Sequence, residues 1–384
     1  MGVTADSIET LVPDLVEIRH YLHTHPELSD HEAETAAFVE SKLRPLGLEI
    51  KTGIGGNGIV ADLIGSHPGP TTALRADMDA LPIQEQSNLP YKSSSSGVMH
   101  ACGHDGHTTV LLGTARLLAQ QRSEIRGTVR FIFQPAEETT GGAERMCAEG
   151  CMDGVDQVYA LHGWPGLEVG KIAIRKGPMM ASSDTFYITI RGKQAHAAYP
   201  HLSIDPIIVG SHMVTALQAI VSRNTNPSDS VVVTVGKFIA GTATNIISET
   251  AEIAGTIRTL SPELRKSVAE SVRHTCKSVA ATFGATMNWT YRLGTPPVIN
   301  HPDAVDHIAS AANTVLGLGN VVELPHPSMG AEDFASYLDY APGAMFRLGI
   351  GDTTALHTPT FNFTDAAIPV GVKMFAELVR QAND

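Results

Sequence analysis

The chain has 384 residues, 43% hydrophobic and 17% charged, the make-up of a folded protein with more than one core and not of a disordered one. A net charge of −13 excludes nucleic acid as an expected partner, since phosphate binding needs clustered Lys and Arg. No apolar run approaches the roughly 18 residues that span a bilayer, and four cysteines (Cys102, Cys147, Cys151 and Cys276) are too few for a disulfide framework, so a reducing, cytoplasmic setting is expected.

The first residues, MGVTADSIET, carry neither the basic nor the apolar segment of a signal peptide, and Asp6 breaks a myristoylation pattern. Ser29 followed three residues on by Glu32 reads as a capping box opening a helix through HEAETAAFVESKLRPLG, which Gly47 stops. Gly53-Ile54-Gly55-Gly56-Asn57-Gly58 matches G-x-G-x-x-G but opens onto the strand-like IVADLIG and not onto a helix, so it reads as a turn. Strand-like runs follow at GIVADLIG, TTALRAD, TVRFIFQ and QVYALH, with a helical pattern, TTVLLGTARLLAQQ, between the second and third. Ser93 to Ser96 reads as a loop. Strands interleaved with helices predict an α/β domain with a largely parallel sheet.

The middle has a different rhythm. DTFYITIRG, a helix from DPIIVGSHMV onward, SVVVTVGKFIA, ETAEIAGTIRT, a second helix and TMNWTYRL give β-α-β-β-α-β, the ferredoxin-like order. Ser261 as N-cap, Pro262 at the first helical position and Gly284 as the stop bound that second helix. The α/β pattern then resumes with a helix at DAVDHIASAANTVLG, a strand at AMFRLGI and a terminal helix. The organisation expected is a discontinuous α/β domain over residues 1–176 and 293–384, interrupted by a smaller α+β domain over 177–292.

Several strands of the first domain run into residues able to bind a metal. TTALRAD leads to Asp77 and Asp79, TVRFIFQPAEE to Glu137 and Glu138, QVYALHGWP to His162, and AMFRLGI is followed by His357. MHACGHDGH adds His100, Cys102, His104 and His107 before a helix. Ligands of open parallel sheets bind outside the carboxyl ends of the strands, so these groups should converge. Thiolate, imidazole and carboxylate together suit a transition metal. Neighbouring Glu137 and Glu138 would point opposite ways on an extended segment, one to metal and one to substrate, where a carboxylate can take and return a proton. Neither G-x-S-x-G nor H-E-x-x-H occurs.

RADMDALP, MHACGHDGH, QPAEE, HGWP, GKQAHAAYPH and SMGAEDF, in this order along nearly the whole chain, resemble the M20 metallopeptidase family. The branch they resemble in particular holds aminoacylases, hippurate hydrolases and auxin-conjugate amidohydrolases. The resemblance implies a two-metal α/β catalytic domain with an inserted ferredoxin-like lid that often dimerises. It implies Cys102, His104, Glu138, His162 and His357 as metal ligands, with Cys102 bridging, and Glu137 as general base. Asp79 falls where the family has an acid that orients the base or a ligand. His196 matches a histidine that polarises the scissile carbonyl, commonly in the partner subunit's site, and Asn245 and Arg258 sit where lid residues hold the substrate's carboxylate. Asp77-Met78-Asp79 replaces the His-x-Asp of the broader family's peptidases, which favours acyl-amino-acid over dipeptide substrates.

The function expected is hydrolysis of small N-acyl amino acids to a carboxylic acid and a free amino acid, by a water activated between two divalent ions. Zinc is the default, with manganese, cobalt or nickel as alternatives. A dipeptidase or carbamoyl-amide hydrolase on the same scaffold, and a catalytically idle metal-binding homologue, are the rival readings. His100 and His107 are expected to support the ligands from behind or to be structural, the group His20, His23, His25 and His31 to pack or lie at the surface, and Cys147 with Cys151 to be structural.

Overall fold

The structure, a computed structural model, describes residues 8–139 and 141–382. In chain order its principal elements begin with α1 (Val12–Thr24), α2 (Ala33–Leu43), β1 (Glu49–Ile54), β2 (Gly58–Ile64) and β3 (His67–Asp77). There follow α3 (His104–Gln120), β4 (Arg126–Gln134), α4 (Gly142–Ala148), β5 (Gln157–Trp164) and β6 (Ile172–Ile174). The middle contributes β7 (Ser183–Arg191), α5 (Pro206–Ala219), β8 (Val231–Ala240), β9 (Thr250–Thr259), α6 (Pro262–Thr282) and β10 (Thr286–Thr295). The chain ends with α7 (Pro302–Leu316), β11 (Val321–Glu323), β12 (Gly343–Gly349) and α8 (Ile368–Ala382). No helix among the described residues is long and apolar enough to cross a membrane.

Two compact units result. The larger holds the described residues through Gly177, with Ile299–His326 and those from Asp333 on; the smaller holds Pro178–Val298 and Pro327–Glu332. The larger unit's sheet has the order β1-β2-β4-β3-β5-β12-β6-β11. Its centre, β4-β3-β5-β12, is parallel, and the run TVRFIFQ is apolar because β4 lies inside that layer, with Phe131, Ile132 and Phe133 fully buried. Antiparallel pairing is confined to part of this largely parallel sheet: β1, β2 and β4 pair antiparallel, as do β6 and β12. A tight turn at the glycine-rich segment makes β1 and β2 a hairpin, and hairpins pair antiparallel. Helices α3 and α8 bury Leu111, Leu118, Val372 and Phe375 in the same core as Leu161 and Phe346 of the sheet.

The parallel centre brings the carboxyl ends of β3, β4, β5 and β12 to one edge, which is where the candidate donors lie. The smaller unit is an antiparallel sheet of order β8-β9-β7-β10 with α5 and α6 packed on it, the ferredoxin-like arrangement. Ser261 caps α6 by accepting a hydrogen bond from the Leu264 amide at 3.2 Å, and Pro262 follows at the first position.

The capping box expected at Ser29 and Glu32 does not form. Helix α2 starts at Ala33 without a side-chain cap. The Ser29 hydroxyl donates to Asp79 Oδ2 at 2.6 Å, and Glu32 accepts from the amides of Asp30 (3.0 Å) and Ala136 (2.8 Å) and from Asn57 Nδ2 (3.1 Å). Both side chains serve the loop that carries the glutamate pair, which outcompetes a local cap.

Candidate metal centre

Donor atoms of Cys102, His104 and His162 lie within 4.8 Å of one another, and so do those of Cys102, Glu138 and His357. Cys102 belongs to both groups. Its Sγ is 3.4 Å from His162 Nε2 and 3.3 Å from His357 Nε2, while Glu138 Oε1 is 3.1 Å from His357 Nε2. His104, Glu137 and Glu138 form a further group within the same 4.8 Å. The five expected ligands and the expected base therefore meet in one place, all within the larger unit.

Local backbone explains how they arrive. Gly103, at φ 93°, turns the chain between Cys102 and the start of α3, where a β-carbon would lie 3.2 Å from the Phe363 ring. Helix α3 begins at His104, four residues earlier than the apolar pattern suggested, because its first turn carries polar site residues. Ala136, at φ 53°, reverses the chain after β4 and presents Glu137 and Glu138. His357 also has a positive φ, 61°, and its amide donates to the Ala101 carbonyl at 2.8 Å, which ties the C-terminal ligand to the Cys102 loop. Left-handed backbone at non-glycine residues costs about 1–3 kcal/mol and persists where the surroundings hold it.

The histidine tautomers are set by their second nitrogens. His104 Nδ1 donates to the Asp79 carbonyl at 2.8 Å and His162 Nδ1 to the Gly163 carbonyl at 2.8 Å, so Nε2 is the nitrogen each neutral ring offers to a metal. His104 Nε2 is buried and has no hydrogen-bond partner. His107 is different: Nδ1 donates to Asp77 at 2.7 Å, and Nε2 accepts from the Gly163 amide at 2.8 Å. With both nitrogens engaged it has no lone pair for a metal. Asp77 is held by His107 and by Arg75 (2.7 Å), and Arg75 also reaches Asp333 at 3.0 Å.

Burial pushes the Cys102 thiol well up, and Glu138, Glu137 and Asp77 push it in the same direction. A thiolate there requires a cation. Burial opposes charge on His104, yet Asp77, Asp79 and Glu138 carry its pKa up to about 10. Burial, with His107 and His104 nearby, holds His162 well below the usual range. Converging lone pairs, a buried sulfur and surplus carboxylates fit divalent cations. The donors divide into two groups that share one sulfur, which is the pattern of a pair of ions.

Asp79 underlies the arrangement. Its Oδ1 accepts from the Glu137 amide and its Oδ2 from the Glu138 amide, both at 3.1 Å, and Oδ1 lies 3.3 Å from His104 Nδ1. One carboxylate thus fixes both glutamates and orients a histidine. From sequence Ser29 and Glu32 read only as a helix start and Asp333 only as part of SMGAEDF; no local signal shows their place beside the site.

His196, Asn245 and Arg258 belong to the smaller unit. A two-residue ladder pairs His196 with Ile246, and the Ala197 amide donates to the Asn245 carbonyl at 3.0 Å, so His196 and Asn245 are neighbours. Both are exposed. Arg258 lies near the far end of β9, beside the residue that pairs with Asp184, and its Nη1 donates to the Met329 carbonyl at 3.0 Å. His196 follows the other end of β7, where Arg191 pairs with Thr250. Eight residues of strand separate the two ends, on the order of 25 Å.

The family model for peptidase family M20/M25/M40 matches residues 73–381. The chain is 47% identical over 307 residues to a Geobacillus stearothermophilus protein named N-acyl-L-amino acid amidohydrolase, covering 78% of this chain and 83% of that protein. It is 41% identical over 370 residues to the N-acetylcysteine deacetylase of Bacillus subtilis (strain 168), covering 95% of each. Among solved structures it superposes with a TM-score of 0.86 on a dinuclear metal-binding peptidase of the M20 family from Bacillus subtilis, at 38% identity over 97% of this chain and 98% of that one.

Proposed function

The chain belongs to peptidase family M20/M25/M40 and is a metal-dependent amidohydrolase, and we propose that it splits N-acyl amino acids into a carboxylic acid and a free amino acid, within the aminoacylase and hippurate hydrolase branch. The observation that carries this reading is the convergence of Cys102, His104, Glu138, His162 and His357 on one edge of the sheet, with Glu137 beside them. Two relatives named for acyl–amino-acid hydrolysis support the substrate class.

In this reading the five ligands would hold two divalent ions, zinc by preference for sulfur and imidazole donors, and such ions would supply charge to polarise the scissile carbonyl and acidify a water. Glu137 takes the proton of that water and returns it to the departing nitrogen, so the acyl group leaves as an acid and the nitrogen as an amine. Asp79 keeps Glu137 and Glu138 in place through their amides. His196 polarises the carbonyl oxygen, and Asn245 and Arg258 hold the amino acid's carboxylate. His196 and Asn245 share one end of the smaller unit and Arg258 lies towards the other, which supports a homodimer in which two copies contribute to each site. The smaller unit, taken as the inserted domain over residues 177–292, then acts as lid and dimerisation element.

The test is amine release from N-acetyl, N-benzoyl and long-acyl amino acids and from glycyl dipeptides, with zinc, manganese or cobalt, comparing the wild type with Glu137→Ala. The expected result is turnover of acyl amino acids above dipeptides, lowered about 10²–10⁴-fold in Glu137→Ala. Undiminished activity in that variant would remove Glu137 as the base. A preference for dipeptides would move the chain to the peptidase reading.

A further inference from the structure

Three arginines are buried among the described residues, and two of them are answered by carboxylates: Arg19 by Asp105 and Asp365, Arg75 by Asp77 and Asp333. Arg347 differs. It is 8% exposed, has no hydrogen-bond or ion-pair partner among the described residues, and its Nε is buried and unsatisfied. Burial alone lowers its pKa to about 10, which leaves it cationic at neutral pH. Its guanidinium carbon lies 3.4 Å from the centre of the Trp164 ring. Cation–π stacking compensates part of the desolvation and occupies only the flat face. The N–H groups project in the plane, in the fork that matches a carboxylate.

Placement gives this cation a purpose. Arg347 of β12 is in register with His162 of the parallel strand β5, about 4.8 Å away across the sheet. Side chains of registered neighbours leave the same face, and Trp164, two residues beyond His162, shares it. The guanidinium therefore lies at the carboxyl end of the sheet, one strand from a candidate metal ligand, where ligands of such sheets bind.

We propose that Arg347, held flat against Trp164 one strand from His162, binds a carboxylate of the substrate, an inference that rests on the amidohydrolase reading above. That carboxylate is either one that ends the acyl group or, in place of the assignment to Asn245 and Arg258 above, the amino acid's own. Three substrates separate the sources: N-acetyl-L-methionine carries the first, N-succinyl-L-methioninamide the second, and N-acetyl-L-methioninamide neither. With metal-loaded enzyme, Arg347→Met should lower the kcat/KM preference for one carboxylate-bearing substrate over the uncharged amide by about tenfold or more, through KM. Arg347→Lys should retain part of it. The affected substrate identifies the source. An unchanged preference, or an equal loss on all three substrates, overturns the proposal while leaving the amidohydrolase reading intact.

Should the wild type turn over none of them, the acyl-amino-acid reading fails and binding decides the matter. The chain has two tryptophans, so Trp289→Phe leaves Trp164 as the sole indole reporter. A saturable change in its emission on titration with acetate or succinate, abolished by Arg347→Met, supports the subsite. No change in the parent overturns it.

Discussion

Each unit buries a cluster of charged and polar side chains, and the two are finished differently. In the smaller unit Asp184 is 0% exposed and accepts four hydrogen bonds: from Arg265 Nε (2.8 Å) and Nη2 (2.6 Å), the Tyr291 hydroxyl (2.7 Å) and the Gly294 amide (2.9 Å). Burial alone would raise its pKa; these donors lower it. In the larger unit the Cys102 sulfur faces two imidazole nitrogens, and a third, His104 Nε2, has no hydrogen-bond partner. The first cluster closes on itself and leaves nothing for a ligand to do. The second gathers sulfur, imidazole and carboxylate groups whose pairing among themselves is incomplete, which fits a bound cation. A buried polar network that the protein completes is structural, and one it leaves incomplete marks a site.

The comparison breaks first at Cys102. It is the one donor common to both principal groups, so Cys102→Ala should lower the metal content from two ions per chain to one or none after dialysis, with far-UV circular dichroism unchanged. Retention of two ions would remove the shared-sulfur arrangement.

Asp184→Asn tests the closed cluster. Arg265 would then keep its position without a counter-charge, at a cost of about 3 kcal/mol. Trp289 stacks on Phe186 and Tyr291, so with Trp164→Phe in the background its fluorescence in denaturant follows the smaller unit. A Trp289 transition that does not move would mean that the closed cluster contributes nothing to stability. Metal content should stay at the wild-type value, the reverse of Cys102→Ala.

A third cluster is intermediate in kind. His23 is buried between Asp105 (2.9 Å) and Glu85 (3.3 Å); burial opposes its charge, but these carboxylates carry its pKa from 6.5 up to about 9. A raised folded-state pKa gives stability that is complete below pH 6.5 and is lost as pH rises through about 9. Between those values the larger unit should weaken by up to about 1.4 kcal/mol per pH unit. His23→Gln keeps a donor but not the titration, so its unfolding free energy should vary less over that window. Parallel pH profiles would place the titrating group elsewhere.

What was legible in the sequence follows the same division. Local patterns show elements and strand-end chemistry, which is why the β-α-β-β-α-β order and the positions of Cys102, Glu138 and His162 could be read. Partners distant in the chain are another matter. Ser29 and Glu32 have the spacing of a capping box, yet each is claimed by a group 50 or more residues away, Asp79 and Ala136. The polar alternation of β1 hides an edge strand, and nothing local reveals that the sheet margins turn antiparallel. Arg347 within AMFRLGI reads as one residue of a strand; its stacking on Trp164 is a product of the register between β12 and β5. Asn245 and Arg258 are close in sequence, but an extended strand carries them apart.

Asp79 lies where the two kinds of cluster meet, being itself fully paired while serving the unpaired donors. Its carboxylate accepts from the Glu137 and Glu138 amides and the Ser29 hydroxyl, with His104 Nδ1 beside Oδ1. His104, Ser29 and the Glu138 amide overcome the effect of burial and hold its pKa below the usual range. Asp79→Asn preserves shape but turns one acceptor into an NH₂ group that must face an amide or hydroxyl donor. The loop bearing the glutamate pair should shift, and metal affinity should fall about 10–100-fold, as expected when a group that orients ligands is lost. Competition with a chromogenic chelator measures this directly. Because the donors themselves remain, the stoichiometry should stay at two ions, which separates Asp79→Asn from Cys102→Ala. Unchanged affinity would mean that the backbone at Ala136 and Gly142 positions the glutamates unaided, since a β-carbon at Gly142 would come within 1.7 Å of the Pro135 carbonyl oxygen and that close packing already constrains the turn.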